Sequence, residues 1–368
     1  MKYISEFRDA DLVARYLEEI HRTATRPWSI MEVCGGQTHS LVKNGILQML
    51  PEQVRMVHGP GCPVCVTPLN LIDKAVYLAL EKGTILCSFG DMLRVPGSSQ
   101  SLLEAKAAGG DVRILYSPLE AVKIARENPG REVVFFAVGF ETTAPANALS
   151  VLHAQRSGIT NYSILTSHVV VPPAIEAVMN DPDSNIQGFL AAGHVCAIMG
   201  MDEYFPLVER YQIPIVVTGF EPVDLAQGIL MTVRQLEQGS HQLENQYARV
   251  VRPEGNPEAR KVIEQVFRIS DRDWRGIGNI PLSGYELRPE FAAYDATLKF
   301  DIVIPHASES KECIAGQVLK GIKKPHECPQ FGKKCTPQHP LGAPMVSSEG
   351  ACAAYYHFSQ ALADTETA

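Results

Sequence analysis

Short apolar runs rich in β-branched residues alternate with stretches of helical periodicity through the first two-thirds of this chain, and that alternation restricts the fold to helices laid on parallel sheet. Eight runs can be read: Ser29 to Val33, Val54 to Val57, Thr84 to Cys87, Val112 to Tyr116, Val133 to Val138, Ser163 to Thr166, Gly188 to Ala191 and Ile213 to Thr218. An amphipathic helix with Leu12, Leu17 and Ile20 on one face opens the chain. Further helices are predicted over Leu71 to Glu81, Leu102 to Ala108 and Ala174 to Met179. The runs form two sets of four with similar spacing, offset by about one hundred residues, the size of one small α/β domain. The fourth run of each set ends alike, in Tyr116-Ser117-Pro118 and Phe220-Glu221-Pro222, each with a proline suited to a first helical turn. The expected fold class is α/β, with two related parallel-sheet α/β domains from an internal duplication.

Beyond about residue 240 the pattern gives way to Pro, Gly and Cys, with one clear helix, Pro257 to Phe267, capped by Asn256. Regular structure returns at Ser347-Ser348-Glu349, read as a helix start running through Cys352. The stretch between reads as a third, irregular region. A length of 368 residues agrees with two or three domains.

Charge and hydropathy narrow the partners. The formal net charge is −8 and no Lys/Arg stripe is concentrated anywhere, so nucleic acid is not expected. No apolar run approaches the roughly 18 residues of a membrane span, and the first residues carry mixed charge without an apolar core, so a cytoplasmic protein is expected. That compartment keeps thiols reduced. Nine cysteines there point to metal binding or catalysis rather than stapling.

Ligands of open parallel sheets bind beyond the carboxyl ends of the strands, and the residues at those ends are reactive ones. Cys34 follows a strand and precedes Gly35-Gly36, which leave room for something to approach the sulfur. It suits a metal-bound or nucleophilic thiolate, the alternative being a buried structural cysteine. His39 is placed to return toward Cys34 as a base or hydrogen-bond partner, or to serve only the structure. Cys62-Pro63-Val64-Cys65 allows dithiol–disulfide exchange or bidentate metal ligation, with half of a zinc site as the third reading. Neither G-x-G-x-x-G nor a P-loop occurs. Cys313, Cys328, Cys335 and Cys352 supply four sulfurs in or beside the irregular region, enough for a [4Fe–4S] cluster; His326 and His339 keep zinc open. Cys87 and Cys196 read as core cysteines. Asp91, Glu141 and Glu221 stand at strand ends as acids, bases or caps.

With these residues on view, the chain resembles the HypD family of hydrogenase maturation (expression/formation) proteins. The resemblance runs through C-G-G-x-T-H (Cys34 to His39), H-G-P-G-C-P-V-C (His58 to Cys65), F-G-D-x-x-R-V-P-G (Phe89 to Gly97) and G-F-E-T-T (Gly139 to Thr143). It continues through G-F-E-P (Gly219 to Pro222), E-N-Q-Y (Glu244 to Tyr247), W-R-G-x-G (Trp274 to Gly278) and V-S-S-E-G-A-C-A-A (Val346 to Ala354). It implies a scaffold and redox protein for the Fe(CN)2CO moiety of nickel–iron hydrogenase, in stable complex with HypC, receiving cyanide from HypE and passing its product through HypC to the hydrogenase large subunit. Cys34, with a HypC cysteine, would hold the Fe(II) that carries CN and CO; Cys62 and Cys65 would be redox-active thiols at that iron, and His39 would belong to the same site. Cys313, Cys328, Cys335 and Cys352 would ligate a [4Fe–4S] cluster.

The expected units are then 28–120, with a helix over 347–365 packing on it; 121–230; and a cluster-binding unit of 1–27 plus 231–346. Two rivals stand beside this reading: a stand-alone thiol–disulfide or iron–sulfur oxidoreductase, and a zinc protein that only docks others.

Overall fold

A computed structural model describes residues 5–302 and 309–366; residues 1–4 and 303–308 of the expected cluster-binding unit lie outside the described residues. All eight predicted runs are strands: β1 (Trp28–Glu32), β2 (Val54–His58), β3 (Thr84–Ser88), β4 (Val112–Ile114), β5 (Glu132–Gly139), β6 (Tyr162–His168), β7 (Gly188–Ala192) and β8 (Ile215–Thr218). An edge strand β9 (Leu243–Asn245) and a hairpin of β10 (Phe267–Trp274) and β11 (Gly278–Leu287) join them. Two sheets are parallel throughout, ordered β2-β1-β7-β8-β9 and β4-β3-β5-β6. Helical crossovers cover both faces of such sheets, which is why β3, β7 and β8 are buried at every residue and read as unbroken apolar runs.

The sheets do not divide the chain at residue 120. The sheet of β3 to β6 is inserted between β2 and β7 of the other. Spacing cannot reveal this, because the helix that leads from β6 across to β7 (Val171–Met179) is as short as the helices within either sheet. Counted within its own sheet, each unit runs in the order 2-1-3-4, the larger adding β9 at its edge.

Two further boundaries move for reasons of packing. The opening helix, Ala10–Thr23, does not join a cluster-binding unit. Its buried Val13, Leu17 and Ile20, spaced i, i+4, i+7, lie with Ile30, Leu190 and Val216 of the first sheet and against the helix Pro222–Gln238. The 231–346 stretch is divided as well: Ile263, Phe267, Tyr285 and Leu287 enter the core of the second sheet beside Tyr162 and Ile164. The hairpin is hidden in the sequence because Arg268, Ser270, Arg272 and Asp273 break any apolar alternation along β10, which buries only its two ends.

Local signals are realised more faithfully. Ser117 caps the helix Pro118–Glu127 by accepting the Leu119 N–H at 3.3 Å, and Asn256 caps Pro257–Val266 by accepting that of Ala259 at 3.1 Å. The C-terminal helix begins at Ala351 rather than Ser347, since residues 347–350 form a turn closed by the Gly350 N–H on the Ser347 carbonyl at 2.9 Å. It packs on the helix Gly35–Lys43. Among the described residues no helix is long and apolar enough to cross a membrane.

At the start of the helix Pro222–Gln238, the fully buried Asp224 accepts two hydrogen bonds from Arg249, at 2.7 and 2.6 Å, and one from Gln246 at 2.9 Å. The Arg249 guanidinium in turn lies 3.5 Å from the ring centre of Phe7 and 4.4 Å from that of Tyr247. An Asp224→Ala change leaves that cation without its counter-ion and is expected to cost about 3 kcal/mol of stability. Urea unfolding followed by circular dichroism measures it, and a loss below about 1 kcal/mol contradicts this account of the pair.

Candidate functional site

In a 2-1-3-4 sheet the chain reverses direction between its first and third strands, and a crevice opens there at their carboxyl ends. For the larger sheet those strands are β1 and β7, followed by Cys34 and by Gly193-His194; for the inserted sheet they are β3 and β5, followed by Phe89 and by Phe140 to Thr143. Both crevices open on one cavity of about 310 Å³, with Cys34, His194, Phe89, Phe140, Thr143 and Glu349 on its wall. It falls at the low end of the roughly 300–1,000 Å³ usual for small ligands. A groove of about 730 Å³ between residues 94–104 and 334–341 is larger, but none of the nine cysteines lines it.

Cys34 is 5% exposed, so its sulfur meets the cavity and not bulk solvent. It lies at the N-terminus of the helix Gly35–Lys43 and stands midway between the two ring nitrogens of His194, 3.8 and 3.9 Å away, in line with neither. Burial, helped by the Glu349 carboxylate, pushes the Cys34 thiol well above its ordinary range, while the Gly36 and Gln37 N–H groups act in the opposite sense. It therefore keeps its proton at neutral pH. Burial also pushes His194 down to about 4, which leaves a neutral imidazole, the form that ligates metals. Phe220 packs on that ring at 4.9 Å.

His39 does not return to the sulfur. It lies on the second turn of its helix, where its Nδ1 donates to the Ser348 carbonyl at 3.0 Å and its ring meets Phe358 at 5.2 Å. His194, 160 residues away in sequence, stands in the place foreseen for it. Its position directly after β7 was the signal available; pairing of β1 with β7 is what made it decisive.

The loop carrying Cys62 and Cys65 is fastened to the Cys34 turn. The Gly59 N–H donates to the Glu32 carbonyl at 2.9 Å and the Gly35 N–H to the Gly61 carbonyl at 2.8 Å. A Cβ on Gly61 would lie 2.3 Å from the Cys34 nitrogen, and only glycine allows that approach. Cys62 and Cys65 form a disulfide with Cα atoms 5.2 Å apart, and they are 3% and 1% exposed, within a core that includes Trp274. Dithiol exchange and metal ligation both need accessible sulfur, and neither sulfur here meets bulk solvent.

Cys313, Cys328, Cys335 and Cys352 all line one small pocket whose other walls include Phe331, Pro344 and Met345. Burial raises the Cys352 thiol strongly, with Cys313, Cys335 and Cys328 adding to the shift, and burial raises Cys313 and Cys335 as well. The Leu341 N–H donates to the Cys335 sulfur at 3.4 Å, and a Cβ on Gly342 would meet the Cys313 sulfur at 2.4 Å. Neither His326 nor His339 lines the pocket. Among the described residues, no three His, Cys, Asp or Glu side chains stand as a ready site for a metal ion. Cys87 and Cys196 are fully buried, each pushed up to about 12, mainly by burial.

The strand-end carboxylates differ in use. Asp91 pairs with Arg94 at 3.2 Å, and Glu221 pairs with Arg8 and caps a helix. Glu141 is fully buried, accepts the Val171 N–H at 2.9 Å, and has no hydrogen-bond partner at Oε2. Burial pushes it up to about 8 from 4.5. The folded chain thus keeps a proton that the unfolded chain releases above its lower pKa, so this group costs stability progressively as pH rises from about 4.5 to 8. A Glu141→Gln chain, neutral at every pH, is expected to gain on the wild type by up to about 1.4 kcal/mol per pH unit across that window. Denaturant midpoints at pH 5 and pH 7.5 measure it; parallel profiles contradict a buried neutral acid.

Comparison with known proteins gives one consistent result. Residues 11–359 match a family described as "HypD: Hydrogenase formation hypA family". The chain is 46% identical over 375 residues to the hydrogenase maturation factor HypD of Rhodobacter capsulatus, spanning 99% of this chain and 100% of that protein. It is 45% identical over 369 residues to the corresponding factor of Azotobacter vinelandii, with 98% and 97% covered, and 45% over 368 residues to that of Escherichia coli K12, with 98% and 99% covered.

Proposed function

Because this chain belongs to the HypD family of hydrogenase maturation factors, we propose that it is the scaffold on which iron acquires two cyanides and one carbon monoxide before insertion into nickel–iron hydrogenase. It works in complex with HypC and receives cyanide from HypE. The observation that carries this reading is the Cys34 sulfur on the wall of a cavity shared by the crevices of both sheets. Low-spin iron with carbon ligands favours soft thiolate and imidazole donors, and Cys34, a HypC cysteine and His194 offer them. Glu349 at the rim takes up positive charge as the metal enters, and Phe89 and Phe140 keep water off the half-built centre.

Cys62 and Cys65, once reduced, release two electrons and two protons as they close again, directly behind the Cys34 turn. Their burial withholds both sulfurs from a free substrate in solution, which favours the scaffold over the stand-alone oxidoreductase. Cys313, Cys328, Cys335 and Cys352 fit a [4Fe–4S] cluster: four thiols around one apolar pocket, one already receiving a backbone N–H. Such a cluster supplies one-electron redox chemistry when bound. The test is to co-express the chain with HypC under anaerobic conditions and purify the complex. It is expected to hold iron beyond the cluster's own, in proportion to HypC; a complex without that extra iron, or no complex at all, contradicts the scaffold.

A further inference from the structure

Behind Cys34 runs a buried polar chain that the assembly chemistry does not use. Glu32, the last residue of β1, is fully buried; its Oε2 accepts the Cys34 N–H at 3.2 Å and its Oε1 accepts the Thr38 hydroxyl. Directly across the β1–β2 register stands His58, with Nδ1 at 2.6 Å from Glu32 Oε1. With that N–H given to the carboxylate, Nε2 accepts from the hydroxyl of Tyr355 at 2.9 Å. Tyr355 is 8% exposed and stands one helical turn beyond Cys352, on the same face of the C-terminal helix. Its ring stacks on His326 at 6.0 Å, two residues before Cys328. Glu32, Thr38, His58 and Tyr355 are all buried, so these hydrogen bonds hold their side chains in place.

We propose that Tyr355 is a positioning residue that couples the seat of the four-cysteine pocket to the turn bearing Cys34, through His58 and Glu32. Where the C-terminal helix sits fixes the phenol, the phenol fixes the His58 ring, and the ring fixes the carboxylate that holds the Cys34 amide. A change at Cys352 is thereby felt at Cys34 through one line of hydrogen bonds, although the two cysteines belong to different sites. The identity of what each site holds rests on the function proposed above. The coupling does not, and it can be tested with neither iron nor partner present.

The test is hydrogen–deuterium exchange, read by mass spectrometry, on the full-length chain. In Tyr355→Phe the peptide covering residues 34–38 is expected to exchange about fivefold faster, the equivalent of one lost hydrogen bond, while peptides covering β1 and the helix Ala10–Thr23 stay within about twofold of the wild type. Tyr356→Phe, one residue along and facing Phe331, is expected to leave all three unchanged. His58→Gln, which retains a hydrogen-bonding amide but cannot span from Glu32 to the phenol, is expected to give the same local pattern and serves if the phenylalanine variant does not fold. Exchange at 34–38 that is unaltered, or that rises equally in all three peptides as for a general loss of stability, overturns the proposal.

Discussion

A Cys34→Ser chain is expected to lose its cargo iron while keeping its fold and its four-cysteine pocket. Serine preserves the extended backbone at the head of the helix Gly35–Lys43 and the amide that Glu32 holds. The stability change should therefore stay within about 1 kcal/mol. Binding of low-spin iron is another matter, because a neutral hydroxyl replaces the only cysteine sulfur among the described residues on the cavity wall, and the imidazole of His194 is a weaker substitute for a thiolate. Second-sphere changes alone cost metal sites about 10- to 100-fold, so loss of a direct ligand should exceed about 100-fold. Mössbauer spectroscopy of the 57Fe-loaded complex with HypC separates the two iron populations. The cluster signal should persist and the low-spin mononuclear signal should vanish; a mononuclear signal at wild-type strength would remove Cys34 from the site.

Gly61→Ala should be nearly as damaging, and for a purely steric reason. The added carbon would fall 2.3 to 2.4 Å from the Cys34 nitrogen, the Cys34 Cα and the Val33 carbonyl carbon, all of them backbone atoms that cannot step aside. Either the loop from His58 to Cys65 lifts or the Cys34 turn does, and the hydrogen bond from Gly35 to the Gly61 carbonyl breaks in both cases. The expected cost is about 3 kcal/mol or more. Gly130→Ala is the control: a Cβ there meets nothing within 4 Å, and its effect should lie within about 0.5 kcal/mol. Urea unfolding compares the two, and near-equal midpoints would mean that the two loops are not locked together.

Elements were legible where the signal is local. Eight of the nine parallel strands announce themselves as short apolar runs, and Pro118 and Asn256 mark helix starts that the structure realises. Which strand joins which sheet is a property of pairing, and the insertion of β3 to β6 between β2 and β7 leaves no trace in spacing. The hairpin β10–β11 was hidden by its charged residues, and the opening helix went to the first sheet because its apolar face needed cover. The site divides the same way. Cys34, Cys62 and Cys65 stood out at strand ends, and the four remote cysteines stood out by residue type. The choice between His39 and His194 could not be read, because a separation of five residues on a helix turns the first away while a separation of 160 residues brings the second to the sulfur.

This arrangement has a plain physical logic. Two parallel sheets present their crevices to each other, so each contributes a wall and neither encloses the cavity alone. The wall from the larger sheet brings sulfur and imidazole; that from the inserted sheet brings Phe89, Phe140 and Thr143.

Infrared spectroscopy of the anaerobically purified complex with HypC, taken from cells making hydrogenase, probes the iron's carbon ligands directly. Stretching bands of both cyanide and carbon monoxide are expected from the wild-type chain and none from Cys34→Ser. Their absence from the wild type, or their survival without the Cys34 sulfur, would contradict iron assembly in this cavity.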